Sequence, residues 1–330
     1  MFCIGSTSSH INNSANRAGA QQCKVAVVAR ETKEKCWRQS ASSANYFKGE
    51  EHLPRIVVFL LIILVALTIY AWQIEPNWLE VTTVDVELFG LPQQLDGFTI
   101  LHLSDLHLKR FGREQARLLE AIASHHYDMI AITGDLLDNP RNTGLDPVTE
   151  LLDGLDGPVY FVFGNHDYHD YNQLTQELKA RDITILANQH VRVRHNGTTL
   201  QVAGIHDLHT ARVNPSAQYQ PDLEAALANA SKALPLILLS HSPAVLENYP
   251  LPDWGVDLVL AGHTHGGQIK IPVLGAPFTA SGRMFDKYVE GLYRDRTVQM
   301  YINRGLGTSS LPLRFLSRPE VTFIRLVGTR

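Results

Sequence analysis

Short apolar runs alternate with polar, glycine-containing stretches along the chain beyond residue 80. The runs that predict strands are Val81–Leu88, Thr99–Leu103, Met129–Thr133, Val159–Phe163, Leu200–Ala203, Leu236–Leu239, Leu258–Ala261, Gln299–Ile302 and Val321–Leu326. Apolar residues at helical spacing predict helices at Arg113–Ser124, Gln173–Arg181 and Leu223–Ala230. Because strands outnumber helices, the pattern favours a mixed α/β sandwich of sheets flanked by helices over a simple doubly wound sheet.

A longer apolar run, Ile56–Trp72, precedes this alternating region and carries no charge. As a helix it would span about 26 Å, which is close to the thickness of a bilayer core. A buried core helix is disfavoured because the run has no polar face. A cleaved signal peptide is the other alternative, but no small-x-small cleavage site follows. We therefore predict a single transmembrane anchor over residues 55–73, with Tyr70, Trp72 and Trp78 at the interface.

The chain before the anchor has a different composition. It is rich in Ser, Asn, Ala, Gln and Lys, which predicts a disordered tail over residues 1–54 or an over-extended start of the reading frame. Residues 1–55 contain eight Lys and Arg side chains, whereas residues 73–90 contain none. The positive-inside rule then predicts a cytoplasmic N-terminus, with the domain over residues 80–330 on the other side of the membrane.

Composition narrows the chemistry that this domain can support. The 330-residue chain is 45% hydrophobic and 19% charged, as in ordinary globular proteins, and its net charge of −4 gives no basic footprint for a nucleic acid. The three cysteines, Cys3, Cys23 and Cys36, all precede the anchor. A metal in the domain would therefore need nitrogen and oxygen ligands, which suit Mn, Zn, Fe or Mg.

Five of the predicted strands end in residues that can bind metals. These residues are Asp105 and His107, Asp135 and Asp138, Asn165, His166 and Asp167, His241, and the pair His263 and His265. Ligand sites in open α/β sheets lie just outside the carboxyl ends of strands, so five such ends can meet in one crevice. A single Asp-x-His or a lone buried histidine is usually structural. Five coincidences drawn from one set of residue types predict a metal site.

The motifs D-x-H, G-D-x-x-D, G-N-H-D, a lone His and G-H-x-H, in this order, resemble those of the calcineurin-like metallophosphoesterases. The resemblance covers about residues 97 to 326 and implies a four-layer αββα sandwich with a two-metal site at the strand ends. The stretches "AGHTHGGQI", "YVEGLYR" and "NRGLGTSSLPLRFLSRPEVTFIRL" resemble a branch of small bacterial, membrane-associated phosphodiesterases. That branch also includes enzymes similar to the UDP-2,3-diacylglucosamine pyrophosphatases of lipid A synthesis.

The resemblance also implies a ligand set for two divalent metal ions (Mn, Zn, Fe or Mg). By resemblance Asp135 bridges the two ions, Asp105, His107 and His265 complete the first set, and Asn165, His241 and His263 complete the second. Because His263 and His265 stand two residues apart on a glycine-containing turn, one imidazole can point to each ion. A hydroxide that bridges the metals would attack phosphorus, since such ions lower the pKa of bound water.

The remaining candidate residues handle protons and substrate. By resemblance His166 is the general acid for the leaving group and Asp138 orients it; the alternative has a structural His166 with Asp167 as the functional carboxylate. We otherwise expect Asp167 to shape its loop. Arg304 and Arg314 are predicted to bind a phosphate or head group, because guanidinium forks match phosphate, although surface arginines are common. His206 and Asp207 follow a strand and line either the rim of the site or a turn.

The resemblance implies a metal-dependent phosphoester hydrolase of the phosphodiesterase type. We expect an envelope or lipid-linked phosphoester as substrate, with the enzyme anchored in the bacterial inner membrane and its domain extracytoplasmic. One alternative is a UDP-2,3-diacylglucosamine pyrophosphatase facing the cytoplasm, which the charge asymmetry disfavours. Another is a non-catalytic metal-binding scaffold, which would have no need of His166 and Asp138. The sequence specifies neither the substrate, the metal nor the oligomeric state.

Overall fold

The computed structural model of the protein describes residues 52–138, 144–210, 217–279, 282–309 and 311–329. The chain divides into two compact units, Met1–Leu67 and Thr68–Arg330. The tail predicted over residues 1–54 lies almost entirely outside the described residues. That assignment therefore stays a prediction.

The described part of the first unit is helical. Helix α1 runs from His52 to Ile69, and every side chain between Leu53 and Ile69 is exposed. An 18-residue stretch within the span Leu53–Asn77 has a mean hydropathy of 2.6, and this span contains the one helix among the described residues that is long and apolar enough to cross a membrane. In the second unit the chain continues as a π-helical turn, Tyr70–Ile74, and a 3₁₀ turn, Glu75–Asn77.

The second unit contains two six-stranded sheets. In chain order, the strands in the described residues are β1 (Glu80–Phe89), β2 (Thr99–Leu103), β3 (Met129–Ile132), β4 (Val159–Phe161), β5 (Thr184–Ile185), β6 (Gln189–His195), β7 (Thr198–Gly204), β8 (Leu236–Leu239), β9 (Leu258–Ala261), β10 (Gly291–Asp295), β11 (Val298–Ile302) and β12 (Glu320–Thr329). The strand order is β1-β12-β2-β3-β4-β5 in one sheet and β10-β11-β9-β8-β7-β6 in the other. Strands β2, β3 and β4 are parallel, and so are β7, β8 and β9.

Helices cover the outer face of each sheet. Within the described residues, the helices of the second unit are α2 (Ala116–Ala123), α3 (Asp146–Asp153), α4 (Tyr171–Ala180), α5 (Leu223–Leu227), α6 (Val245–Asn248) and α7 (Leu251–Trp254). Side chains of α2, α3 and α4 pack on the first sheet, and those of α5, α6 and α7 pack on the second. A third cluster, which includes Ile100 and Met129 from one sheet and Ile237 and Leu258 from the other, fills the space between the sheets. The layer order is therefore αββα, as the resemblance implied.

All nine strands predicted from the sequence are present, with ends that differ by at most a few residues. The predicted helix Arg113–Ser124 is shorter: Glu114 and Gln115 have positive φ, so the α-helix begins only at Ala116. Helix Leu223–Ala230 likewise ends at Leu227. Strand β6 was missed because its valines alternate with Arg and His on an edge strand that is exposed on one face.

Candidate metal centre

The candidate ligands lie at the carboxyl ends of parallel strands from both sheets. In the first sheet, β2 leads to Asp105 and His107, β3 to Asp135, and β4 to Asn165 and His166. In the second sheet, β8 leads to His241 and β9 leads to His263 and His265. Their donor atoms are brought to one place by close contacts between the loops that follow these strands.

Two glycines make that close approach possible. A Cβ atom at Gly134 would lie 2.3 Å from the backbone nitrogen of Gly164, so the loops after β3 and β4 can touch only without a side chain there. A Cβ atom at Gly262 would lie 1.9 Å from Oγ of Ser104, in the loop that follows β2. Gly262 therefore lets the two sheets bring their ligand loops together.

The backbone itself is strained at the site. The residues in the left-handed region include five candidate ligands with φ between 46° and 69°: Asp105, His107, Asp135, His263 and His265. Residues other than glycine adopt this region rarely, and they keep it only where the surrounding contacts enforce it. Such strain is concentrated at functional sites, which agrees with a built ligand cluster.

The first ligand group consists of Asp105, His107 and His265, all of them buried. Nε2 of His265 lies 3.4 Å from Oδ1 of Asp105 and 3.1 Å from Nε2 of His107. Nε2 of His107 also lies 3.6 Å from Oδ2 of Asp135. Two imidazole nitrogens and a carboxylate oxygen thus converge on one point. A cation at that point would be coordinated by their lone pairs.

The second ligand group consists of Asp135, His241 and His263. Nε2 of His241 lies 3.1 Å from Oδ2 of Asp135 and 3.1 Å from Nδ1 of His263. Nδ1 of His241 lies 2.7 Å from the carbonyl of Thr133 and donates to it, which leaves Nε2 with a lone pair towards the cluster. The same oxygen of Asp135 therefore faces histidines of both groups.

Several buried polar atoms at the site have no hydrogen-bond partner within the described part of the chain. They include Oδ1 of Asn165, Nε2 of His263 and Nδ1 of His265. An unpaired buried polar atom is costly, and carboxylate, imidazole and amide oxygen together form a nitrogen and oxygen ligand set. The residues present therefore fit divalent cations, and Asn165 joins the candidate ligands on its orphaned oxygen.

The electrostatics keep His263, His265 and Asp135 in the protonation states that bind metals, whereas Asp135 raises the pKa of buried His241 well above its ordinary value. Burial, reinforced by neighbouring His241, lowers the pKa of His263 to about 3, and burial beside His107 lowers the pKa of His265 well below its usual range. Both imidazoles are neutral at pH 7, as metal ligands must be. Burial alone would raise the pKa of Asp135, but His241 and His107 hold it well below its ordinary value, so this carboxylate is ionised.

Asp167 organises two of the ligand loops. It is buried, and its carboxylate accepts hydrogen bonds from the backbone N–H groups of Asp135 (2.8 Å), Leu137 (3.0 Å) and Gly164 (2.9 Å). These contacts fix the loop after β3 against the loop after β4. The geometry thus agrees with the loop-shaping role expected for Asp167.

His166 lies beside the first ligand group and is only half-buried. Its backbone N–H donates to Oδ1 of Asp135 (2.8 Å), and its ring centre is 4.8 Å from that of His107. His166 also forms a third possible ligand group with His107 and Asp135. The carboxylate of Asp138 lies 3.7 Å from Nδ1 of His107. Burial lowers the pKa of His166, and the charges of Asp135 and Asp138 oppose that shift. Asp138 therefore influences both imidazoles.

The two candidate substrate arginines lie in a loop network close to the site. The guanidinium of Arg304 binds the carboxylates of Glu80 (3.0 Å) and Glu320 (3.2 Å). Arg314 is fully buried, and its nitrogens donate to the carbonyls of Arg304, Gly305, Gly307 and Ser317. Both guanidinium groups therefore already have hydrogen-bonding or ionic partners within the protein.

The structure shows one further imidazole, that of His209, at the edge of the candidate metal centre. The ring of His209 stacks on that of His263 at 4.7 Å, and its backbone N–H donates to the buried carboxylate of Asp207 (2.6 Å). His206 instead contacts the hydroxyl of Tyr168 at 2.6 Å. A sequence signal was available, because Asp207-Leu208-His209 repeats the Asp-Leu-His of residues 105–107.

Comparisons with known proteins agree with this geometry. The family described as "Calcineurin-like phosphoesterase" matches residues 98–267, which include every candidate ligand. The chain is 34% identical over 270 residues to the uncharacterized metallophosphoesterase YkuE of Bacillus subtilis, covering 79% of this chain and 90% of that protein. It is 33% identical over 268 residues to the phosphodiesterase YaeI of Escherichia coli, covering 78% and 92%. A Danio rerio relative, "Transmembrane protein with metallophosphoesterase domain", is 31% identical over 283 residues, covering 82% and 63%.

Proposed function

This chain belongs to the calcineurin-like phosphoesterase family and is a metal-dependent phosphoester hydrolase, and on that premise we propose that it cleaves an envelope or lipid-linked phosphodiester at a site for two divalent cations. The observation that carries the two-cation site is the position of Asp135. Its Oδ2 lies 3.6 Å from Nε2 of His107 and 3.1 Å from Nε2 of His241, between the two ligand groups. A single carboxylate oxygen between two such groups is the arrangement that offsets the repulsion between two close cations.

Each proposed ligand set combines charged and neutral donors. Asp105, His107 and His265 would hold one cation, and Asn165, His241 and His263 would hold the other, with Asp135 shared. When bound, such cations supply an activated water at neutral pH and polarise the phosphoryl oxygens. The residues hold the ligands in fixed orientations, because Thr133 holds the ring of His241 and Asp167 holds the Asp135 loop.

His166 is proposed as the general acid. Its imidazole lies next to the ligand cluster and is only half-buried, so its ring can approach a leaving-group oxygen. A proton carried on that ring would pass to the departing alkoxide, while the hydrogen bond from its backbone N–H to Asp135 fixes the start of the turn His166–Asp170. Burial lowers the pKa of His166, and the negative charges of Asp135 and Asp138 oppose that shift.

Replacement of His166 by alanine should separate catalysis from metal binding. We expect kcat for bis-p-nitrophenyl phosphate to fall by about 10²–10⁴-fold, the usual contribution of a positioned general acid, with bound metal near the wild-type level. The matched control is His169→Ala, because His169 is exposed three residues further along. Loss of metal from the His166→Ala protein would instead make this residue a ligand, as its grouping with His107 and Asp135 allows.

The proposed location is the bacterial inner membrane, with the domain on the extracytoplasmic side. One candidate membrane helix and the Lys and Arg excess before it support this orientation. Alkaline phosphatase fused after Arg330 should be active in a bacterial host, and a cytoplasm-dependent fluorescent protein at the same position should be dark. The reverse pattern would favour the cytoplasm-facing nucleotide-lipid pyrophosphatase.

A further inference from the structure

A short apolar hairpin follows the two histidines of the loop after β9. The backbone N–H of Ile271 donates to Gly275 (2.8 Å), and that of Gly275 donates back to Ile271 (2.9 Å). At the tip, the side chain of Val273 is completely exposed and that of Leu274 is 63% exposed. Val273 also has a φ of 72°, which a β-branched residue rarely adopts. Transfer of these two aliphatic side chains from water into an apolar environment would be favourable in free energy.

An apolar groove is lined by residues that precede and follow this hairpin in the chain and by one residue of the metal-binding turn. Its volume is about 290 Å³, and its walls include Thr264, Ile269, Pro277, Phe278 and Leu311. Thr264 stands between the ligands His263 and His265 in sequence, so one wall of the groove belongs to the metal-binding turn. The side chains of Phe278 and Leu311 are also more than half exposed at the groove's outer side. The groove therefore extends from an exposed apolar surface to Thr264, a residue of the metal-binding turn.

Phe315 connects the hairpin to the segment that follows the membrane helix. Its backbone N–H donates to Gln268 (2.9 Å) and its carbonyl accepts from Lys270 (2.9 Å), directly before the hairpin. On its other side, the ring of Phe315 lies edge-on to that of Tyr70, with 6.2 Å between ring centres. Tyr70 follows immediately after Ile69, the last residue of α1.

Two further contacts fix the same junction. The backbone N–H of Arg314 donates to the carbonyl of Ala71 (2.9 Å), and that of Ser317 donates to the buried carboxylate of Glu75 (2.5 Å). The hydroxyl of Ser317 in turn donates to the carbonyl of the ligand His265 (3.0 Å). The hairpin, the groove and the metal-binding turn are thus all held against the residues where the chain emerges from α1.

We propose that the hairpin Ile271–Gly275, together with Phe278 and Leu311, enters the acyl region of the bilayer that α1 crosses, and that the groove takes an acyl chain of a lipid phosphodiester. The phosphodiester of that lipid then lies at the metal centre, because Thr264, which lines the groove, stands between His263 and His265. The substrate half of this inference rests on the proposed hydrolase function, whereas the membrane contact does not. A lipid is favoured over a protein partner because the hairpin is fixed, through Phe315, to the membrane-proximal residue Tyr70.

Depth-dependent quenching tests the membrane contact in the full chain. The three native cysteines are replaced by serine, and an environment-sensitive fluorophore is attached to Val273→Cys. The protein is reconstituted in nanodiscs of phosphatidylcholine and phosphatidylglycerol. We expect a blue shift and loss of emission when the lipids carry nitroxide groups in their acyl chains, because position 273 lies among those chains.

The matched control is Phe89→Cys. Phe89 is an equally apolar and exposed residue, but it stands at the far end of β1, about 30 Å along the strand from Glu80. Equal emission and equal quenching at positions 273 and 89 would overturn the membrane contact. A signal at 273 that followed the number of protein copies per nanodisc, and not the nitroxide content, would assign the surface to a second copy and overturn it as well.

A pair of matched substrates tests the groove. Hexadecyl p-nitrophenyl phosphate and ethyl p-nitrophenyl phosphate differ only in the chain attached to the diester. We expect the wild-type enzyme to prefer the hexadecyl ester in kcat/KM, and the variant Phe278→Ser/Leu311→Ser to lose about tenfold or more of that preference, since two apolar side chains of the groove wall disappear. Phe89→Ser should keep the preference.

The two substrates also separate this inference from the proposed function. Hydrolysis of both esters with no preference, or with a preference that the double variant retains, would overturn the groove assignment alone. Absence of metal-dependent hydrolysis of either ester, with quenching at position 273 intact, would overturn the proposed function and the substrate half of this inference, and would leave the membrane contact standing.

Discussion

Replacement of Asp135 by asparagine is expected to abolish phosphodiester hydrolysis, with a fall in kcat of about a thousandfold or more. Asparagine has the size of aspartate but lacks its charge. Oδ2 of Asp135 faces Nε2 of His107 at 3.6 Å and Nε2 of His241 at 3.1 Å, so the change removes the one anionic atom that both ligand groups share. We expect bound metal to fall as well, since the repulsion between two cations would no longer be offset.

The measurement is the rate with bis-p-nitrophenyl phosphate, together with the metal content of the same preparation. Asp156→Asn is the matched control, because Asp156 is an exposed carboxylate on a surface turn. It should keep the wild-type rate and metal content. An Asp135→Asn protein with wild-type activity would contradict the shared-ligand assignment, whereas a misfolded one would be revealed by an altered circular dichroism spectrum.

Replacement of Arg314 by alanine is expected to cost about 3–5 kcal/mol of folding free energy. The guanidinium is fully buried and donates to four backbone carbonyls, those of Arg304, Gly305, Gly307 and Ser317. Burial lowers the pKa of Arg314 to about 10, so the side chain is still charged at pH 7. Without it, the carbonyls of this loop are left buried with their strongest donor removed.

Thermal unfolding of the detergent-solubilised chain measures this effect, and a loss of that size should lower Tm by about 6 °C or more. Arg113→Ala is the control, because the Arg113 side chain is almost fully exposed and its removal should change stability by less than about 0.5 kcal/mol. If Arg314 bound a phosphate instead, the alanine protein would keep its Tm and show a raised KM. That outcome would restore the substrate-binding role predicted from sequence.

The candidate ligands at the ends of the strands could be predicted because the pattern that marks them is local in the sequence. Each of the strands β2, β3, β8 and β9 is a short apolar run buried on both faces, and a residue able to bind a metal follows it directly. The meeting of strand ends from two different sheets depends on contacts between residues that are far apart in the sequence. Strand β1 pairs with β12, some 240 residues away, and no pattern of hydrophobic positions specifies that register. The sandwich was therefore predicted only through the resemblance.

The details that escaped prediction depend on side-chain packing. Arg314 in a sequence looks like any surface arginine, and only the fold shows that backbone carbonyls surround its guanidinium. The contact of Asp138 with His107, at 3.7 Å from Nδ1, was likewise not predicted, whereas the orientation of His166 by Asp138 stays a prediction. The stacking of His209 on His263 likewise depends on how two loops from different strands meet.

Anomalous X-ray diffraction from crystals of the manganese-loaded protein tests the central claim most directly. We expect two anomalous peaks in one pocket, one bound by Asp105, His107 and His265, the other by Asn165, His241 and His263, with the carboxylate of Asp135 touching both. A single peak, two peaks in separate regions, or manganese bound away from Asp135 would contradict it.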